Sequence, residues 1–455
     1  MWLFAVLFLL AAVAERPYAL VVQGTRFLQS RDQQPGATLQ AVALEGIDVR
    51  YTTNLTINGQ SFKVLIDTGS SDLWVIPPSS FIFDNTGIPI LAPFAGGNVS
   101  GTIGFGSVEL GTYKVNQQVF QNATFIDVAL VQSLGIDGLI GLAFESIETS
   151  PITATLQANG SNPTLGNPFL FNIFDQTPGQ DNFIGISLSR TGDLEDTADA
   201  SFTINELDPT YTAVANAPTI PLLSGTLNRW RIAVDSFSVD GVDVPLPSSV
   251  VSTAPAGKLA TVLDTGTPTA SLPSPLIDSI FSKIPGSLLT VVDGSGSPSP
   301  LWTVPCNTTS IVSVGMGGQP FPIHPLDLTE IFVNNVTNVV TCVAQWFAAP
   351  GSPDDFDMIF GDSFMRNFYS VFNFGASVSQ APTGSSVQLL SQTNPTSAKT
   401  DVINVRMAQL TEQPPTGQSS AGPSPTAGAK HGGQAGLMVS HSILFLFSIL
   451  PFLLL

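Results

Sequence analysis

Two short segments far apart in this chain read almost alike. Residues 64–70 are VLIDTGS and residues 261–267 are TVLDTGT. Each is an apolar run of strand character that ends in Asp-Thr-Gly followed by a hydroxyl residue. Each also has a later companion, GLIGLAF at 138–144 and MIFGDSF at 358–364, with an apolar pair before a glycine and a phenylalanine three positions after it. Self-similarity of this kind must be satisfied by the fold before anything else is argued. It predicts two β lobes related by a pseudo-twofold axis, each presenting one Asp-Thr-Gly turn.

The rest of the chain agrees with a mainly β reading. From about residue 44 to 392, runs rich in Val, Ile, Thr and Phe alternate with Gly, Pro, Asn and Asp turns. The segments LTINGQSF and SVDGVDV predict hairpins closed by Asn-Gly and Asp-Gly. Helical patterns are few, SPLIDSIFSKI at 274–284 being the clearest. With 40 Gly and 35 Pro, a helical bundle is excluded. We divide this body into an N-terminal lobe, 44–215, and a C-terminal lobe, 216–392.

Charge and histidine content narrow the chemistry. Lys plus Arg number 15 against 34 Asp plus Glu, a net charge of −19. A nucleic-acid binder carries the opposite footprint. Only three histidines occur, and two of them, His431 and His441, fall in a C-terminal tail. The body has His324 alone, expected at the surface or in a loop. Zinc sites built from several His or Cys ligands are therefore excluded, and no metal or cofactor is called. Acid–base chemistry is left to carboxylates. Asp67 and Asp264 are the candidates, because a twofold axis between the lobes would bring their turns together. Two carboxylates about 3 Å apart share one proton, so one member can activate water while the other donates to a carbonyl. Ser70 and Thr267 follow each glycine and are placed to hydrogen-bond the outer carboxylate oxygens.

On these residues the chain resembles the pepsin-like aspartic proteases. VLIDTGSSDLWV and TVLDTGTPTASLP look like the two active-site segments. IDGLIGLAF and MIFGDSFMRNFYSVFNF look like the elements that complete each lobe around them. The resemblance covers roughly 44–392. It implies a bilobal fold with a cleft between the lobes, Asp67 and Asp264 as the catalytic pair, and Thr68, Gly69, Ser70, Thr265, Gly266 and Thr267 as their support. It implies protein or peptide substrates, a monomer and no cofactor. FAGGNVSGTIGFG at 94–106 looks like the flap that closes over substrate, with Phe94, Gly96 and Gly97 at its tip and Trp74 behind it. Here the sequence departs from the family: its usual flap tyrosine aligns with Phe94, so the hydroxyl that would bond Trp74 is missing. That departure motivates an alternative function, a catalytically weak, wall-tethered protease homologue that binds peptide. The resemblance leaves open a preference for large apolar or for basic residues at the cut.

The ends point to export. Residues 1–14, an apolar run closing on Ala-Val-Ala, read as a secretory signal peptide or, alternatively, a buried N-terminal helix. Residues 15–43 carry three arginines and read as a pro-segment or an unstructured extension. Residues 393–436, rich in Pro, Ser, Thr and Gly, read as an unstructured stalk. Residues 437–455 form an apolar tail behind small and polar residues, the pattern of a GPI-attachment signal, with a single spanning helix as its rival. Sequons stand at Asn54, Asn98, Asn122, Asn159, Asn307 and Asn335. A glycan on Asn98 is expected to hinder or reshape substrate access. In an oxidising compartment the only two cysteines, Cys306 and Cys342, most simply pair, a 36-residue closure of about 3–4 kcal/mol. The resemblance matches that pair to the C-terminal-lobe disulfide, and the terminal segments to those of fungal surface members, the yapsin-type branch included. Cell-surface placement through a GPI anchor follows as the expectation.

Overall fold

The computed structural model describes residues 37–412, apart from 39, 45–46, 95–96, 128–133, 146–148, 189, 191–199, 225–228, 295–296, 334–339, 354 and 376–383. The expected signal peptide, GPI tail, Gly96 and Asn335 thus lie outside the described residues, as do most of the pro-segment and of the stalk.

The molecule is a two-lobed β structure of the pepsin-like kind. The N-terminal half builds an eight-stranded sheet, in which strand Gln60–Asp67 runs parallel to Gly138–Gly141 and Leu73–Val75 pairs antiparallel to the latter. The C-terminal half repeats the arrangement. Strand Leu259–Leu263 runs parallel to Met358–Phe360, and Ala270–Leu272 pairs antiparallel with it. In each half the first of these strands ends at, or one residue before, an Asp-Thr-Gly aspartate. The companion strand beside it is the GLIG or MIF segment seen in the sequence. The companion glycines have a steric reason. A side-chain carbon on Gly141 would lie 2.3 Å from the Ser71 carbonyl carbon, and one on Gly361 would lie 2.2 Å from the Thr269 carbonyl oxygen.

Both predicted hairpins form. Asn58 and Gly59 have φ of 51° and 81°, Asp240 and Gly241 of 48° and 78°, and each pair closes a two-residue turn. Positive φ at both positions matches the right-handed strand twist, and only Gly, Asn and Asp take it readily. Helix Ser274–Phe281 forms where the periodicity predicts it, burying Leu276, Ile277, Ile280 and Phe281.

The lobes are fused by a six-stranded sheet. Strands Phe183–Ser187 and Ser201–Ile204 of the first half join Phe368–Asn373 and Ser386–Ser391 of the second, through Ile184↔Phe372 and Ile186↔Ser370. Above it sits an aromatic knot. Trp230 packs on Phe144, Phe374 and Phe372 with ring centroids 4.4–4.9 Å apart, and its indole N–H donates to the Leu142 carbonyl at 3.1 Å. The first half thereby reaches the second directly behind the paired turns. Cys306 and Cys342 are bonded, with Cα atoms 5.1 Å apart.

Three regions differ in part from the reading of the sequence. Strands begin by Ala37: Ala37–Thr38 pairs with Ser201–Ile204 and Gln40–Leu44 with Ile47–Ile57, inside the segment 15–43 expected as a pro-segment or an unstructured extension. The expected stalk opens with a helix, Pro395–Glu412, which buries Ala398, Val402, Val405 and Arg406 and packs on Leu326. Its start is built by local chemistry: the Asn394 side chain accepts from the Thr396 and Ser397 amides, and Pro395 follows it. His324, expected at the surface or in a loop, lies in a loop, just before the turn Pro325–Asp327, but is buried. Its Nδ1 accepts from the Leu326 amide at 3.1 Å, and its own amide donates to Asn367. Desolvation, with Arg190 and other arginines near, pushes its pKa down to about 3. A buried network accounts for the position: Asp327 accepts from Arg190 at 2.8 Å, lies 3.2 Å from the Arg366 guanidinium, and accepts from Asn367 at 2.9 Å. The Asp67 and Asp264 side chains are not among these partners.

Candidate active site

Asp67 ends a buried strand and is itself nearly buried. Its Oδ1 accepts from the Gly69 amide at 2.8 Å, and its Oδ2 accepts from the Ser70 hydroxyl. Asp264 repeats the pattern: Oδ1 accepts from the Gly266 amide and Oδ2 from the Thr267 hydroxyl, both at 2.8 Å. The expected roles of Ser70 and Thr267 as partners of the outer oxygens match these contacts. The same geometry at two sites separated by 197 residues is the pseudo-twofold axis made visible.

The two turns meet back to back. A side-chain carbon on Gly69 would stand 2.5 Å from Asp264 Oδ1, and one on Gly266 would stand 2.3 Å from Asp67 Oδ1. Each glycine therefore exists to let the other lobe's carboxylate in. The threonines between lock the turns across the lobes. Thr68 Oγ1 accepts from the Thr265 amide at 3.0 Å and donates to the Leu263 carbonyl at 2.8 Å. Reciprocally, Thr265 Oγ1 accepts from the Thr68 amide and donates to the Ile66 carbonyl, both at 3.0 Å. Both threonines are fully buried, so all four bonds are shielded from water.

Electrostatics follow from the packing. Burial, then the neighbouring charge of Asp264 and a hydrogen bond between the two carboxyls, push the Asp67 carboxyl well above its usual range, against the opposing Ser70 and Gly69 bonds. One proton held between two close carboxyls is the state that burial favours.

The region expected to act as a flap is a hairpin, strands Asp84–Phe94 and Gly97–Leu110, with Gly97 at φ 138° next to the tip. Phe94 packs on Trp74 at 6.0 Å between ring centroids. Trp74 is 1% exposed and its indole N–H has no hydrogen-bond partner among the described residues. The missing hydroxyl read from Phe94 is therefore an orphaned donor in the structure.

Some supports were invisible in the sequence. Arg50, on strand Ile47–Ile57, donates to the Gly266 carbonyl across the lobes and stands 3.8 Å from buried Asp362. Asp72, five residues after Asp67, accepts from the Ser150 hydroxyl and from the Ile152 amide at 2.8 Å, at the start of helix Pro151–Ala158. Burial pushes its carboxyl up to about 7 despite those bonds. Arg50 carries no local motif, and Asp72, though inside the segment VLIDTGSSDLWV, carries no pattern that names its partners; the hint is their charge inside otherwise apolar or small-residue segments.

Two β lobes that bring a pair of close aspartates, Asp67 buried and Asp264 half-buried, to their shared axis define an aspartic hydrolase of the pepsin-like class. Residues 50–85 and 77–382 match the family model described as eukaryotic aspartyl protease, and the chain belongs to that family as an aspartic endopeptidase. It is 28% identical over 379 residues to a probable aspartic-type endopeptidase of Aspergillus fumigatus, covering 77% of this chain and 81% of that protein. It is 27% identical over 362 residues to major aspartyl peptidase 1 of Cryptococcus neoformans, covering 72% and 67%. Pepsin A of Rhinolophus ferrumequinum is 25% identical over 347 residues, covering 72% and 80%.

Proposed function

We propose that Asp67 and Asp264 are the catalytic pair of this endopeptidase and cut peptide bonds in acid without a covalent intermediate. The single observation that carries this is the reciprocal approach of the two turns, with each glycine giving room to the opposite carboxylate. In the working state the pair holds one proton. The ionised carboxylate takes a proton from a water, and the oxygen attacks the peptide carbonyl carbon. The protonated carboxyl gives its proton to the carbonyl oxygen. Collapse of the tetrahedral diol breaks the C–N bond: the amine leaves with a proton from the pair, a diol hydroxyl gives its proton back to the pair as the carboxyl C=O forms, and the pair ends with one proton again. Ser70, Thr267 and the two glycine amides hold the carboxylates in place, and the Thr68–Thr265 lock holds the turns together. Burial and the neighbouring carboxyl push the Asp67 carboxyl up to about 7, so as pH rises past that the pair gives up its shared proton and its acid function is lost, and activity belongs to acid.

The exported, GPI-anchored cell-surface placement and the monomeric state are part of this reading. Its support is the apolar run of 1–14, the apolar tail of 437–455 and the six sequons. The test is hydrolysis of denatured haemoglobin from pH 2.5 to 7 by the full chain, with and without pepstatin, beside Asp67→Asn and Asp264→Asn. The reading expects an acid optimum, inhibition by pepstatin and loss of activity in both variants. Substantial activity in Asp67→Asn sinks it.

The second reading, a weakly catalytic peptide-binding homologue, is favoured by the orphaned Trp74 indole behind Phe94. A peptide retained by the wild-type protein and recovered uncut at every pH would support it.

A further inference from the structure

The hairpin that carries Phe94 has two unlike faces. Strands Asp84–Phe94, Gly97–Leu110 and Tyr113–Ile126 lie side by side, antiparallel. On the inner face Ala92, Val99 and Ala123 are buried and pack with Trp74. On the outer face Leu91 and Phe125 are each 61% exposed. The register puts these two in one row, with Leu91 opposite Ser100 and Ser100 opposite Phe125. In the next row Asn98 stands opposite Pro93, and its carbonyl accepts from the Asp127 amide at 2.9 Å.

Asn98-Val99-Ser100 is one of the chain's sequons. Because side chains alternate along a strand, buried Val99 sets Asn98 and Ser100 on the outer face. The hydroxyl residue of the sequon therefore lies between the two exposed apolar side chains, and the exposed acceptor asparagine lies diagonal to both, about 7 Å away in ordinary sheet geometry. That is within reach of the first sugar of an N-linked chain, whose axial C–H face and acetamido methyl are apolar. Two other sequons differ. Asn122 is half-buried and its Nδ2 donates to Thr102 at 3.2 Å, while Asn159 Nδ2 donates to the Thr155 carbonyl at 2.8 Å.

We infer that Asn98 is an N-glycosylation site whose first N-acetylglucosamine packs on Phe125 and Leu91 and covers the exposed apolar row of the flap hairpin. The inference rests on the export reading, since the modification belongs to the secretory route. The sugar lies on the face opposite Trp74. It thus acts on the hairpin by covering its back and stiffening three strands, rather than by filling the side on which Phe94 and Trp74 pack. Of the two effects expected from the sequence, hindering or reshaping substrate access, this placement favours the second.

The experiment uses the full chain produced in a secreting yeast host and trimmed with endoglycosidase H, which leaves one N-acetylglucosamine on each occupied site. Peptide mapping by mass spectrometry reads occupancy, and thermal unfolding compares wild type with Asn98→Gln, in the parent and in a Phe125→Ser background. We expect Asn98 occupied, a Tm lower by about 2 °C in Asn98→Gln, and no such difference when Phe125 is serine. Asn98 unmodified in chains that carry sugar on Asn54 or Asn307 overturns the inference. So does an unchanged Asn98→Gln effect in the Phe125→Ser background. A chain with no sugar on any sequon overturns the export reading together with it.

Discussion

Replacing Thr68 by valine isolates the lock between the two turns. Valine keeps the β-branched shape of threonine and its rotamer preference, so packing is preserved and only the hydroxyl is lost. That hydroxyl satisfies two groups of the other lobe, the Thr265 amide at 3.0 Å and the Leu263 carbonyl at 2.8 Å. Thr68 is fully buried, so water does not take over either bond. Each buried backbone group left without a partner costs about 1–3 kcal/mol. Two such groups, less the gain from no longer burying a hydroxyl, give a loss of about 2–5 kcal/mol. The pseudo-twofold axis sharpens the expectation. Thr265→Val orphans the mirror-related Thr68 amide and Ile66 carbonyl, both at 3.0 Å, and its cost should match that of Thr68→Val. Thr68→Ser keeps the hydroxyl and should recover most of the stability. Urea unfolding followed by tryptophan fluorescence at pH 4.5 measures all three, and haemoglobin hydrolysis reads the effect on kcat. Displacing one turn against the other by a fraction of an ångström should lower kcat by about 10²-fold while KM changes little. A loss below about 1 kcal/mol in both valine variants, with kcat intact, would show that the lock is not what holds the pair in register.

Four further outcomes follow from the same coordinates. Gly69→Ala places a methyl 2.5 Å from Asp264 Oδ1 and should cut kcat by about 10²-fold without unfolding the chain, as read by kinetics and circular dichroism. Phe94→Tyr offers a hydroxyl to the orphaned Trp74 indole and should stabilise the chain by about 1 kcal/mol in thermal unfolding. Stability should fall as pH rises from about 4 to about 7. The Asp67 and Asp72 carboxyls both have folded values raised above their unfolded one, so the folded state holds protons that the unfolded chain has released. Urea midpoints at pH 4.5 and 7 test this, and Asp72→Asn should narrow the gap; His324, lowered to about 3, acts in the opposite sense, so its neutral form favours the fold above pH 6.5. Ending the chain at residue 394 uncovers Leu326 and removes Arg406 from the Thr329 carbonyl, and should lower Tm by several degrees relative to a chain ending at 412.

What the sequence determined by itself was everything carried by a short run of residues. The Asn58-Gly59 and Asp240-Gly241 turns were legible because positive φ admits few residue types. The two Asp-Thr-Gly turns and their glycine companions were legible because the pseudo-twofold axis prints the same steric demand twice. From them the two-lobed β class and the pairing of Asp67 with Asp264 could be argued from sequence alone, and the presence of two cysteines only made Cys306–Cys342 the simplest disulfide. The helix at 395–412 was half legible: Asn394-Pro395 is a helix start, but the stretch offers only Ala398, Val402 and Val405 as a buried face, and its Ser, Thr and Gln content read as a stalk. Tertiary structure alone decided Arg50 on the Gly266 carbonyl, Asp72 at the start of helix Pro151–Ala158, Trp230 on Leu142, and His324 within the network of Asp327. These contacts span between 80 and 216 residues of chain or depend on burial that no local pattern encodes. A side chain's partner across the fold is chosen by where two lobes close on each other, and closure is a property of the packed whole rather than of any segment in it.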